Sequence, residues 1–175
     1  MKEGCTLKKL LVLLLLFWLC ASPATACFGP KLFVGMAASG AGAGKDVEIL
    51  YALVTLYVQE KTGVESVRVD FADGEEPLRQ IEAEKVDLAF VVDDSPDADV
   101  VSDVDDVVFA VAGYPQLVSG VRPRNDLQFT TVLPALRKLN RLIQPDDMAQ
   151  LAEMVEQGDS AMQAVRKLLM QRRWI

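Results

Sequence analysis

Seven consecutive residues, Val86-Asp-Leu-Ala-Phe-Val-Val92, carry one charge and show no alternation of apolar and polar positions. A strand with one wet face alternates, because successive side chains point to opposite sides. A near-continuous apolar run therefore predicts a strand buried on both faces, the condition of a parallel sheet covered by helices. Parallel strands need crossovers, and the upstream sequence supplies them. Lys31-Leu-Phe-Val-Gly-Met36 is a short apolar run that opens into the Ala/Gly/Ser segment 37–44, so it reads as a first strand followed by a loop. Over 46–62, Ile49, Leu50, Leu53, Val54, Tyr57 and Val58 recur at helical spacing, and Gly63 marks the stop. Val67 to Phe71 alternates as a strand does. Pro77 suits the first turn of a helix over 76–85, with Leu78 and Ile81 inward. Strand, helix, strand, helix, strand is a βαβαβ unit, so the fold class is α/β with helices on both faces of the sheet.

The pattern breaks at 93–106, where seven of fourteen residues are Asp. This reads as a solvated acidic loop. It fits no calcium loop, since no Gly stands at the sixth position and no Glu closes it. Val107 to Ala112 is a fourth strand, and Gln116 to Val121 a fifth extended piece. The remainder is helical. Residues 131–143 carry Val132, Leu136, Leu139 and Ile143. Pro145, Asp146 and Asp147 open a helix bearing Met148, Leu151, Met154 and Val155, and Gly158 closes it. The last helix, 160–172, carries Met162, Val165, Leu168 and Leu169 and ends on Arg172 and Arg173. These apolar stripes predict that the C-terminal helices pack back on the sheet.

At the N-terminus, Lys8 and Lys9 precede the uncharged run Leu10 to Cys20, and Ala21-Ser-Pro-Ala-Thr-Ala26 follows. A basic start, an apolar stretch too short to span a bilayer and a small-residue cleavage site make 1–26 an export signal. The expected location is the periplasm or cell envelope. Cleavage after Ala26 puts Cys27 first, where bacterial lipoproteins carry their acylated cysteine. Thr25 and Ala26 suit that lipidation, whereas Ala24 stands where Leu is usual. The alternative is plain cleavage that leaves a free thiol. Cys5 and Cys20 leave with the signal, so no intramolecular disulfide can form.

Residues 27–175 then form one domain. Removing Lys2, Lys8, Lys9 and Glu3 takes the net charge from −7 to −9. Such a surface has no means of releasing counterions from phosphates, so no nucleic-acid partner is expected. The chain has no histidine. That removes Ser-His-Asp and Cys-His catalysis and most zinc sites, and no enzyme, metal or cofactor is expected. The loop 37–44 sits where a phosphate loop would, but Ser39 and Asp46 replace the Gly and Ser/Thr that a nucleotide-binding loop needs. Its backbone N–H groups at a helix N-terminus can still hold a polar group. In open α/β sheets ligands gather at the carboxyl ends of strands. Ser39, Gly40, Lys45, Asp46 and Asp94 fall at that edge. Tyr114 is the aromatic expected there, while Phe33, Phe71, Phe90 and Phe109 are expected in the core.

CFGPKLFVG, a loop and EILYALVTLYVQEKTG resemble the opening of substrate-binding proteins of glycine betaine/choline-type ABC transporters. EPLRQIEAEKVDLAFV resembles the second helix and third strand of that family, here entering at Val86-Asp87-Leu88. DVVFAVAGYPQLVSGVRPRN, VLPALRKLNRLIQPDDMAQL and AVRKLLMQRRWI resemble its C-terminal return. The resemblance covers 31–92 and 106–175. It implies a periplasmic-binding-protein-like lobe, a quaternary amine or amino-acid-like solute, and an ABC transporter permease as partner. Family members hold the ligand between two lobes, with the second inserted after the third strand, and grip the cation with an aromatic box. Here only 93–106 fills that interval, and no box residue can be carried over. The sequence thus reads as a single lobe, whose uncovered cleft face would seek a partner chain or a second copy.

Overall fold

The computed structural model describes residues 29–37, 44–72, 76–92 and 107–175. Ser39, Gly40, Asp94, Cys27 and the whole acidic segment lie outside the described residues, as do the signal segment and most of the loop 37–44.

The chain is a mixed α/β fold on a five-stranded sheet. Its strands are β1 (Lys31–Ala37), β2 (Glu65–Phe71), β3 (Leu88–Val91), β4 (Val107–Phe109) and β5 (Gln116–Ser119), in the order β2-β1-β3-β5-β4. β1 pairs with β2 in parallel from Lys31 opposite Glu65 to Ala37 opposite Phe71. β1 also pairs in parallel with β3, Val34 opposite Leu88. β5 runs antiparallel between β3 and β4, with a register irregularity between Val107 and Phe109. The βαβαβ half is therefore parallel as expected. The fifth strand reverses because it enters by the turn at Ala112 and Gly113 rather than by a crossover helix. Gly113 holds φ 83°, a left-handed value open to glycine without strain, and the Tyr114 N–H donates to the Val111 carbonyl at 3.0 Å. That turn ends β4 at Phe109, short of the expected Ala112.

The helices are α1 (Lys45–Thr62), α2 (Pro77–Glu82), α3 (Arg122–Asn125), α4 (Val132–Leu142), α5 (Pro145–Glu156) and α6 (Ala161–Gln171), with a 3-10 turn at Leu127–Phe129. α1 is more than the one-sided helix its periodicity suggests. Ten of its residues from Val47 to Val58 are buried, because the sheet lies on one side and α4 and α6 pack along the others. The C-terminal helices thus return to the expected sheet face, but much of their contact is with α1. Leu32, Val34, Leu88, Phe90 and Leu117 from the sheet join Leu53, Leu136, Leu151 and Leu168 in one core. At roughly 25 cal/mol per Å² of apolar area, this cluster is the main source of stability.

The opposite sheet face is covered by α2, whose Leu78 and Ile81 meet Phe71, Ala89, Val91 and Val118. α2 ends at Glu82, three residues earlier than expected. The Glu84 N–H donates to the Ile81 carbonyl while Glu84 itself turns left-handed at φ 54°, which stops the helix. On this face Gly35 lies under the Phe71 ring: a Cβ there would stand 2.1 Å from Phe71 Cζ. Phe71, Phe90 and Phe109 are buried as expected, but Phe33 is not a core residue. It is partly exposed beneath the Arg122 guanidinium, 5.4 Å from its ring centre.

Candidate functional site

The carboxyl ends of β1, β2 and β3 end on one edge of the sheet, and the N-terminus of α1 and the β4–β5 turn join them there. Gly44 leads into α1 with φ 151° and ψ 178°, a conformation essentially restricted to glycine. Its carbonyl accepts the Glu48 N–H at 3.2 Å. Lys45 and Asp46 follow as exposed residues of the first helical turn. Asp46 and Glu48 set two negative charges against the positive end of the helix dipole, which makes this N-terminus a poor seat for a further anion.

Tyr114 is half-buried and packs against the main core, so it is less open than the sequence suggested. Burial is the first cause that pushes its hydroxyl above the usual tyrosine range, and the negative charge of Asp46 is the second. The charge of Asp46 thus reaches the Tyr114 hydroxyl, and Lys45 stands beside Asp46 in the first turn of α1. A carboxylate beside an aromatic ring suits a cationic, partly apolar group better than an anion. Alongside, the Arg68 guanidinium pairs with Glu48 at 2.6 Å and Asp70 at 2.5 Å, with its carbon 5.8 Å from the Tyr51 ring centre. Burial raises the Tyr51 hydroxyl, an effect that Arg68 opposes and Glu48 and Asp70 reinforce. This cluster was not foreseen. A lone Arg between Val67 and Val69 on an edge strand was the available signal.

Asp87 lies at the other edge. Its carboxylate is buried and accepts from the Phe33 N–H at 2.6 Å and from Arg122 Nε at 2.6 Å, with Arg122 Nη2 on its second oxygen. Arg122 also donates to the Lys31 carbonyl at 2.8 Å. The Val86-Asp87-Leu88 strand start is thus a structural clamp across β1, β3 and α3, remote from the candidate ligand edge. Among the described residues no group of three or more His, Cys, Asp or Glu is placed to hold a metal ion, and no helix is long and apolar enough to cross a membrane.

Compared with protein-family models, curated proteins and solved structures, the chain finds no match. What is established is the class: a mixed α/β protein with a five-stranded sheet.

Proposed function

We propose that the chain is an exported, single-lobe relative of the solute-binding components of glycine betaine/quaternary amine ABC transport systems, with weak or lost ligand binding and a transporter permease as partner. One observation carries the reading. β3 and β4 lie in one sheet on either side of β5, and only the acidic segment joins them, in the interval where the family inserts its second lobe. The strand-end edge with Lys45, Asp46 and Tyr114 is then the ligand side, and Ser39, Gly40 and Asp94 belong to it by sequence position.

A pocket normally encloses 70–90% of a ligand's surface. One lobe offers one wall, and a small ligand that loses half its contacts loses a hundredfold or more in affinity. Calorimetry of the mature domain against glycine betaine and choline tests the reading. The expected result is millimolar binding or none, weakened further by Tyr114→Ala. Micromolar binding by a monomer overturns it.

The second reading is a protein-interaction module on the same scaffold. It is favoured by the sheet face where, among the described residues, the six-residue α2 is the one helix and Val67, Val69 and Val107 remain partly exposed. Light scattering of the mature protein tests for a second copy on that face.

A further inference from the structure

The two outer strands of the sheet are finished differently. β4, at one end, is three residues long and loses register between Val107 and Phe109. The Ala110 N–H just beyond it donates to Asn140 Oδ1 at 2.8 Å. β2, at the other end, keeps seven residues in unbroken register with β1 and contains no Pro, Gly or Lys. Short strands, irregular register, prolines and lysines are the features that keep a sheet edge from pairing with another chain. β2 has none of them. Among the described residues β1 is its one strand neighbour, so its outer row of backbone N–H and C=O groups has no strand beside it.

We propose that β2 pairs antiparallel with β2 of a second copy about a two-fold axis at Val69, joining five strands from each copy into one sheet. The side chains of β2 are self-complementary in that register. Arg68 and Asp70 lie on the α1 face beside Glu48, while Val67, Val69 and Phe71 lie on the α2 face. Residues directly opposite in an antiparallel pair share a face. The axis at Val69 therefore sets Arg68 opposite the partner's Asp70, twice by symmetry, and Val67 opposite the partner's Phe71. An axis at Arg68 or at Asp70 would set like charges opposite one another, which is destabilising. An axis at Val67 would leave Asp70 opposite Val64, which lies before the strand begins. Charge thus selects one register. A guanidinium carries more N–H donors than the two, on Nε and Nη1, that hold Asp70 and Glu48. The pairing also covers Val67 and Val69, which are half-exposed because α2 leaves β2 largely bare. The proposal deepens the interaction-module reading by naming the partner and the strand, and it needs no retained ligand.

Sedimentation of residues 27–175 over a concentration series tests the pairing. The parent chain should show a monomer–dimer equilibrium. Asp70→Arg and Arg68→Asp should each self-associate at least about tenfold more weakly, because like charges then meet twice across the axis. Mixed together, the two variants should form a heterodimer as tight as the parent dimer, since each position 68 then faces the opposite charge at position 70. Circular dichroism checks that both variants are folded. A second measurement does not depend on charge. Val69→Cys in a Cys27→Ser background should cross-link to a disulfide dimer on mild oxidation, because opposed Cα atoms in an antiparallel pair stand about 4.5–5.5 Å apart. Glu65→Cys, far from the axis, should not. A parent that stays monomeric, a mixture of the two variants that does not associate, or cross-linking through Glu65→Cys instead of Val69→Cys overturns the strand pairing. A dimer indifferent to both charge reversals overturns it too, while leaving the interaction-module reading in place with the second copy on another surface.

Discussion

The guanidinium of Arg122 grips the carboxylate of Asp87 with two donors, Nε at 2.6 Å and Nη2 on the second oxygen, although 35 residues separate them in the chain. The carboxylate is almost wholly buried, whereas the guanidinium is 40% exposed. The hydrogen bond to Asp87 is the leading cause that holds Arg122 above its ordinary value, with the charges of Asp87 and Asp126 adding to it and burial opposing it. The pair ties the starts of β1 and β3 to the segment that leaves β5, so it closes the sheet at the edge opposite the carboxyl ends of β1 and β3.

Arg122→Met should therefore destabilise the domain by about 3 kcal/mol, because it strands a buried carboxylate while keeping apolar contact with Phe33 and Phe129. Asp87→Asn combined with Arg122→Met should lose less, since no unpaired charge remains and the Phe33 N–H keeps an acceptor. Urea unfolding of the two variants measures the difference. Equal losses would mean that packing, not charge, matters at this site.

Gly35→Ala should cost about 1–3 kcal/mol by overpacking, because the new methyl meets a buried phenyl ring that has little room to move. Phe71→Leu should be less harmful in the Gly35→Ala background than alone. A double-mutant cycle read by urea unfolding gives the coupling energy, and additive effects would show that the contact is looser than the geometry implies.

The Tyr57 hydroxyl is buried and finds no hydrogen-bond partner among the described residues. Tyr57→Phe should therefore raise stability by about 1 kcal/mol near neutral pH. Burial raises the folded-state value of this group, so the unfolded chain ionises first. Through this group stability is independent of pH below the ordinary tyrosine value of about 10 and falls as the pH rises from there through the folded value. Tyr51 and Tyr114 act in the same direction. Alkaline unfolding followed by tyrosinate absorbance should begin at higher pH in Tyr57→Phe, without the pH dependence vanishing.

Leu168 is fully buried on α6, whereas Met170 on the same helix is 63% exposed. Leu168→Asp should leave the domain unfolded, since a lone buried carboxylate costs more than a small domain's margin of stability. Leu168→Ala should cost about 2–5 kcal/mol. Met170→Asp should stay within about 0.5 kcal/mol of the parent. Circular dichroism and thermal melting distinguish the three, and a folded Leu168→Asp would mean that α6 does not belong to the core.

Much of the architecture was legible from local chemistry. The period of Ile49, Leu53 and Tyr57 marked α1, the unbroken run through Leu88 and Phe90 marked a central strand, and Pro145 with Asp147 marked the start of α5. Asp147 indeed caps that helix, accepting the Gln144 N–H at 3.0 Å while Arg172 holds its other oxygen. Of the candidate site, Lys45, Asp46 and Tyr114 were named from where strands and helices should end; Lys45 and Asp46 stand in the first turn of α1 and Tyr114 in the turn between β4 and β5.

Pattern alone determined which segments are strands and which are helices, because the turn of a helix and the pleat of a strand write their periods into neighbouring residues. It could not decide that β5 would run antiparallel between β3 and β4, that α1 would be enclosed nearly all round, or that Asp87 would be clamped by Arg122. Each of these depends on residues far apart in the chain. Arg122 reaches Asp87 only once β5 has reversed, and Phe71 covers Gly35 only once β1 and β2 are in register. Local periodicity records the face a segment will bury, and only the folded sheet supplies the partner that buries it.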